Sequence, residues 1–259
     1  MDKKRPFNVL ITGASSGIGR GCAMVFAMAG ANLILLARRK DRLEELAENL
    51  KREFNTESYC IECDVRNFDE VSQKINEIPE NWKNIDVLIN NAGLARGFET
   101  IQEGLLSDWE EMIDTNIKGL LYVFKAVVPG MIERKTGHII NIASIAGREV
   151  YPKGNVYCAT KSAVRSLSKS FAIDLNGTGI RVTNIDPGLV ETEFAKVRFH
   201  GDEEKADNVY KGYQPLLGED IGLVALLCFQ LPPHVNIQDI LVTPTAQASA
   251  TIIAKDLEE

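Results

Sequence analysis

Apolar runs of strand length alternate with helical patterns along nearly the whole chain, and this alternation most constrains what the chain can fold into. Runs suited to strands fall at residues 7–11, 32–37, 58–64, 86–90, 138–143, 181–186 and 237–242. Between them, Leu43, Leu46, Ala47, Leu50 and Phe54 recur at helical spacing. Strands separated by helices are the signature of βαβ units around a parallel sheet buried on both faces. The expected fold is therefore α/β: a single doubly wound domain over residues 1–259, with a seven-stranded parallel sheet flanked by helices. With 259 residues, 45% of them hydrophobic, the chain can bury a full core of that size.

Local signals place the remaining helices. Ser107-Asp-Trp-Glu110 reads as a capping box opening the helix that carries Asn116. Gly30 stops the first helix, and Gly177 or Gly179 stops the one carrying Tyr157. Residues 191–214 are polar, contain Gly201 and Gly212, and show weak periodicity, the pattern of a mobile helical lid.

The turn after the first strand reads Thr-Gly-Ala-Ser-Ser-Gly-Ile-Gly over residues 12–19. A glycine-rich turn between a strand and a helix is where a dinucleotide pyrophosphate sits on helix-terminal N–H groups, as in Rossmann-type domains. Gly13 permits the turn, Gly17 lets backbone approach phosphate and Gly19 allows close packing, with Ser15, Ser16 and Ile18 between them. The spacing is Gly-x-x-x-Gly-x-Gly rather than the commoner Gly-x-Gly-x-x-Gly. At the end of the second strand, where an acidic residue would bond the adenosine ribose, the chain has Ala37, Arg38 and Arg39. Two guanidiniums without a carboxylate suit a 2′-phosphate, so NADP is expected over NAD. The alternative is that both are solvated residues in the first turn of the next helix. Asp64 and Val65 follow the third strand, toward the adenine, and Asn91, Ala92 and Gly93 follow the fourth, beside the cradle.

Tyr157 and Lys161 lie four residues apart in a helical pattern, so phenol and ammonium share one face. Taken alone, the pair is a half-buried Tyr beside a snorkelling Lys. As chemistry, it is an acid/base: at ~4 Å and an effective dielectric of ~20, the two charges interact by ~4 kcal/mol. That is enough to draw a phenol of pKa ~10 toward neutrality. Ser144 lies thirteen residues before Tyr157.

A formal charge of −7 and three scattered histidines leave no basic face for nucleic acid. The charged start, residues 1–6, is followed by an apolar run that ends at Thr12-Gly13, too short for a secretory core. No stretch approaches the ~20 apolar residues of a membrane span. Five cysteines in such a chain suggest reduced thiols and a cytoplasmic protein. Cys60 and Cys63 have C-x-x-C spacing, but positions three apart on a strand point to opposite faces, so no metal site is expected. The acidic end, residues 255–259, carries no readable function.

With these segments in order, the sequence resembles the short-chain dehydrogenase/reductase family over nearly its whole length. The resemblance rests on residues 12–19, the Asn-Asn-Ala-Gly run at 90–93, Asn116, Ser144, Tyr157, Lys161 and Pro187-Gly188. It implies that Tyr157 is the acid/base and that Ser144 holds the substrate oxygen. It also implies that Lys161 binds the nicotinamide ribose and lowers the Tyr pKa, and that Asn116 supports a proton-relay water. Pro187, Gly188, Val190 and Thr192 are implied to bind the cofactor, with Thr192 capping the lid and contacting the nicotinamide carboxamide or, alternatively, being simply an N-cap, and Glu191 and Glu193 read as solvated helix-start acids. A homotetramer is implied as well.

Longer runs, among them Pro-Gly-Leu-Val-Glu-Thr-Glu-Phe at 187–194, are similar to the branch of NADP-dependent 3-hydroxy acid dehydrogenases acting on serine and allo-threonine. Such a substrate carries a carboxylate near the reacting carbon, and Arg148 and Arg198 are the candidate clamps, each equally readable as a surface ion pair. Tyr151 and Cys158 are expected to line the pocket from their nearness in sequence to Tyr157. A reductase of another small aldehyde or ketone, such as malonic semialdehyde, a sulfonated aldehyde or a diketone, and a non-catalytic dinucleotide-binding regulator are the alternatives.

Overall fold

In the computed structural model, which describes residues 7–256, the apolar runs become seven strands. They are β1 (Asn8–Thr12), β2 (Asn32–Ala37), β3 (Ser58–Glu62), β4 (Ile85–Asn90), β5 (Gly137–Ile142), β6 (Ile180–Pro187) and β7 (Asp239–Val242). All pair in parallel, in the order β3-β2-β1-β4-β5-β6-β7. The order reverses beside β1, where β2 lies on one side and β4 on the other. A crevice opens there at the carboxyl ends of the strands, the place where doubly wound sheets bind ligands. The charged start at residues 1–6 and the last residues of the acidic end, 257–259, lie outside the described residues.

The sheet divides two apolar layers, as the period of two in each strand requires. Along β2, Leu33 and Leu35 enter one layer with Phe26, Leu43, Leu46, Leu50 and Ile221, while Ile34 and Leu36 enter the other with Val71, Val127, Val164 and Phe171. The first layer is covered by α1 (Gly17–Met28), α2 (Lys40–Phe54) and α9 (Gly218–Gln230), and the second by α3 (Phe68–Asn76), α5 (Leu120–Arg134) and α6 (Asn155–Asp174). Each fully buried Leu, Ile or Phe contributes about 1.5–3 kcal/mol. Cys60 joins the first layer and Cys63 the second, on opposite faces as their spacing predicts.

The expected capping box does not form. Helix α4 (Leu106–Ile113) starts before Ser107, with Leu105 as a cap that contributes no side-chain bond, because the Leu105 carbonyl already accepts from Asp108 and Trp109. The chain continues through a π-helical stretch, Asp114–Gly119, into α5. Residues 191–214 contain two short helices, α7 (Phe194–Arg198) and α8 (Glu203–Tyr210), lying over the crevice. Among the described residues, no helix is long and apolar enough to cross a membrane.

Candidate active site

The strand ends, the turn before α1 and the lid enclose a cavity of about 520 Å³. Its floor is the cradle. Gly13 takes a φ of +65°, which an L side chain rarely adopts. A Cβ on Gly19 would stand 2.3 Å from the Gly13 carbonyl oxygen and 2.6 Å from Asn91 Nδ2, so only glycine lets α1 begin this close to β4. Thr12 Oγ1 accepts from the backbone N–H groups of Asn91 (3.0 Å) and Ala92 (2.9 Å), and Asn91 Nδ2 donates to the Thr12 carbonyl (2.9 Å). The ends of β1 and β4 are thereby locked together.

Ser15, Ser16, Gly17, Ile18, Arg38, Arg39, Asp64, Val65, Asn91, Ala92, Gly93, Pro187, Gly188, Val190 and Thr192 all line the cavity with Gly13; Gly19 packs behind it. Arg39 is the extended residue preceding α2 rather than a member of its first turn. Its Nη2 lies 2.9 Å from Ser16 Oγ and 3.2 Å from Ser15 Oγ, over the cradle. Arg38 leans toward Glu111 at 3.9 Å. Asp64 works against its own burial by bonding Arg66, which holds its carboxyl below the usual range. The buried Thr115 Oγ1, in the cavity wall, has no protein partner. A glycine cradle at a helix start, guanidinium and hydroxyl donors beside it and an unpartnered hydroxyl in the wall fit an anionic dinucleotide.

Tyr157, Lys161, Ser144 and Asn116 converge from three directions. Ser144 ends the segment after β5 in extended backbone, and its Oγ accepts from Ala146 N–H (3.1 Å), capping the short 3-10 turn Ile145–Gly147. Tyr157 and Lys161 stack on one face of α6, both buried, and Ser144 hydrogen-bonds the Tyr157 phenol. Lys161 donates its ammonium to the Ile142 carbonyl (3.0 Å). Asn116, in the π-helical stretch, accepts from Leu94 N–H and donates to the Leu94 carbonyl, both at 2.8 Å, and also donates to Thr160 Oγ1 (3.0 Å). A Cβ on Gly93 would meet Asn116 Oδ1 at 3.2 Å and Lys161 Nζ at 3.3 Å. Asn116 thus stands just behind the cavity wall, fixing the backbone after β4.

The electrostatics differ from the sequence expectation. Burial, reinforced by the Tyr151 phenol, pushes the Tyr157 phenol up, against the Ser144 bond and the nearby Arg198 guanidinium. Burial pulls Lys161 down to about 8, although the Asp186 carboxylate favours its charge. Desolvation outweighs the pairing that was expected to bring the phenol toward neutrality.

The two candidate clamps separate. Arg198, at the end of α7, lines the cavity: its guanidinium lies 4.7 Å over the Phe98 ring and 5.7 Å over the Tyr157 ring, and Nη1 donates to Tyr151 Oη (2.8 Å). The loop after β4 holds it there, since Gly97 N–H donates to the Arg198 carbonyl (3.0 Å). Arg148 is a correction. It leaves the cavity and pairs with buried Asp186 (2.5 Å) and with Asp239 (2.6 Å), beside Arg165. Tyr151 lines the cavity; Cys158 is packed in the small apolar cluster beneath it and does not.

Glu193 is an exposed acid at the start of α7, as expected, but it is not unpartnered. It pairs with Arg39 (3.1 Å) and with Arg42 (2.8 Å), a residue the sequence reading passed over. A partner 154 positions away leaves no local trace.

A family model described as short chain dehydrogenase matches residues 8–203. The chain is 46% identical over 243 residues to the NADP-dependent 3-hydroxy acid dehydrogenase YdfG of Escherichia coli K12, covering 93% of this chain and 96% of that one. It is 44% identical over 250 residues to sulfoacetaldehyde reductase 2 of Chromohalobacter salexigens, covering 96% and 98%. The closed form of a serine dehydrogenase complexed with NADP+ superposes with a TM-score of 0.90 at 44% identity, covering 96% and 99%.

Proposed function

The chain belongs to the short-chain dehydrogenase family and is an NADP-dependent oxidoreductase acting on CH–OH groups, and on that footing we propose that its substrate is a short 3-hydroxy acid. Serine, allo-threonine and 3-hydroxyisobutyrate represent the class, with the 3-oxo acid or semialdehyde as partner in the reverse direction. The observation that carries this reading is the Arg198 guanidinium, held at the lid side of the cavity among Phe98, Tyr151 and Tyr157. A cation in a largely apolar slot, next to the acid/base, suits a small anionic substrate. The kinship with a 3-hydroxy acid dehydrogenase supports the same class.

NADP, when bound, supplies the hydride acceptor or donor. Gly13, Ser15, Ser16, Gly17, Ile18 and Gly19, with Arg38, Arg39, Asp64, Val65, Asn91, Ala92, Gly93 and the segment Pro187, Gly188, Val190 and Thr192, are those we assign to hold it. On the substrate side, Ser144 holds the reacting oxygen and Tyr157 delivers a proton to it in reduction or removes one in oxidation. A phenol kept protonated by burial is ready to donate. Lys161, pulled to about 8, exchanges a proton near neutral pH and can restore the phenol. Asn116 fixes the Leu94 backbone and, through Thr160, the turn of α6 that carries Tyr157, because Thr160 Oγ1 also donates to the Tyr157 carbonyl (2.8 Å).

A sulfonated aldehyde is the second reading, favoured by the likeness to a sulfoacetaldehyde reductase, since Arg198 suits a sulfonate as well. Initial rates of NADP reduction across serine, allo-threonine, 3-hydroxyisobutyrate, 3-hydroxypropionate and simple secondary alcohols, with sulfoacetaldehyde in the reductive direction, separate the two. Arg198→Ala is expected to raise KM for the preferred acid roughly 10–100-fold and to leave a neutral alcohol within a few-fold. Equal effects on both would sink the clamp. The assembly we read as a homotetramer, supported by apolar residues left exposed on α4 (Leu106, Ile113) and α6 (Ile173); sedimentation equilibrium tests it.

A further inference from the structure

The lid reaches back to the cofactor side of the cavity with one carboxylate. Glu193 Oε2 lies 3.1 Å from Arg39 Nη1, and both its oxygens lie within 2.9 Å of Arg42 Nη1. The same Arg39 bonds the hydroxyls of Ser15 and Ser16, and Glu193, Arg39, Ser15 and Ser16 all face the cavity. Burial works to neutralise the Glu193 carboxyl, but the bonds from Arg42 and Arg39 hold it below the usual range, so it is a full anion at neutral pH. Guanidiniums bond carboxylates and phosphates through the same donors.

We propose that the Glu193 carboxylate and the 2′-phosphate of NADP share one anion seat at Arg39, so that a lid carboxylate and the cofactor phosphate compete for one guanidinium. The inference rests on Arg39 as the 2′-phosphate partner. Two anions in one seat repel each other, so arrival of the phosphate releases Glu193 from Arg39 and unties the lid from the start of α2. A dinucleotide without the 2′-phosphate leaves the tie in place. Glu193 therefore lowers the affinity for the phosphorylated nucleotide alone, and couples the lid to the presence of that phosphate.

The test is calorimetric titration of adenosine 2′,5′-bisphosphate and of AMP into the full chain free of cofactor. Glu193→Gln is expected to bind the bisphosphate roughly threefold to tenfold more tightly than wild type, the range of two exposed ion pairs, with AMP unchanged. Glu193→Asp, too short to span both arginines, is expected to shift the same way, and melting curves verify that both variants fold. Unchanged or weaker bisphosphate binding in Glu193→Gln overturns the proposal, and so does an equal gain for both nucleotides, the mark of a general effect on the lid. Wild-type protein that binds the bisphosphate no better than AMP overturns it too, and shows that the assignment of Arg39 has failed rather than the competition.

Discussion

The residues proposed to handle the proton are buried side chains whose charge states are set by the fold. Tyr157→Phe removes the phenol oxygen that α6 brings to Ser144, and turnover is expected to fall by about 10²–10⁴-fold while NADPH binding, followed by fluorescence titration, stays within a few-fold. An unchanged turnover would mean that the proton comes from elsewhere. Lys161 carries a cost of its own. Burial disfavours its ammonium, so the folded chain releases that proton near pH 8 and the unfolded chain near 10.5. The penalty is complete below pH 8 and is relieved as pH rises from 8 to 10.5, by about 3 kcal/mol in total. Lys161→Met is therefore expected to raise stability at pH 7 while losing activity, with a gain that shrinks by pH 10. Urea unfolding at both pH values checks this; a gain independent of pH points to packing instead. Tyr157, Lys161 and Ser144 stood out in the sequence only through their place in the ordered family pattern, since the four-residue spacing alone reads equally as a half-buried Tyr beside a snorkelling Lys. Their electrostatics were not legible there, because desolvation depends on every layer that covers them.

Elements explain why one candidate arginine stayed in the site and the other left. Arg148 follows the 3-10 turn after Ser144, and the ends of β6 and β7 present Asp186 and Asp239 on its path. Asp186 is fully buried, and burial raises its carboxyl despite bonds from Asn184 and Arg148 and the charge of Arg165. The cluster thus ties the Ser144 turn and α6 to the strand ends that lead into Pro187 and Gly188. Arg148→Met is expected to cost about 2–3 kcal/mol by leaving Asp186 with Arg165 and the Asn184 amide, and to leave the ratio of KM values for serine and a neutral alcohol unchanged. A selective rise in the serine KM would return Arg148 to the substrate. The strands were readable because each is a short apolar run, and the start of α4 was not, because a serine with a glutamate three residues later competes with a backbone turn that begins earlier. No local pattern distinguishes an arginine aimed at a cavity from one aimed at a buried aspartate.

At the scale of the molecule, the parallel sheet was legible and its order was not, since which strand lies beside β1 is decided by contacts between distant segments. That order brings a histidine of a strand edge into the centre. His138 on β5 is buried, with Nε2 2.8 Å from Thr183 Oγ1 on β6, and that hydroxyl donates to the Ile237 carbonyl (2.7 Å). The hydroxyl must therefore accept from Nε2–H, which leaves Nδ1 as a bare acceptor without a partner. A second proton on Nδ1 would be a buried charge with nothing to receive it, and burial together with Arg181 pulls His138 down to about 3. The unfolded chain takes up that proton near pH 6.5 and the folded chain only near 3. The stabilising contribution is therefore complete above 6.5 and is lost as pH falls between those values. From pH 6.5 to 5 the expected loss is about 1.5 kcal/mol from this one residue. Replacing the ring with an uncharged side chain, His138→Leu, is expected to lower stability at pH 7.5 but to flatten the decline between pH 6.5 and 5 by that amount in urea unfolding. An equally steep decline in the variant would show that the acid sensitivity of the sheet arises at its carboxylates and not at its central histidine.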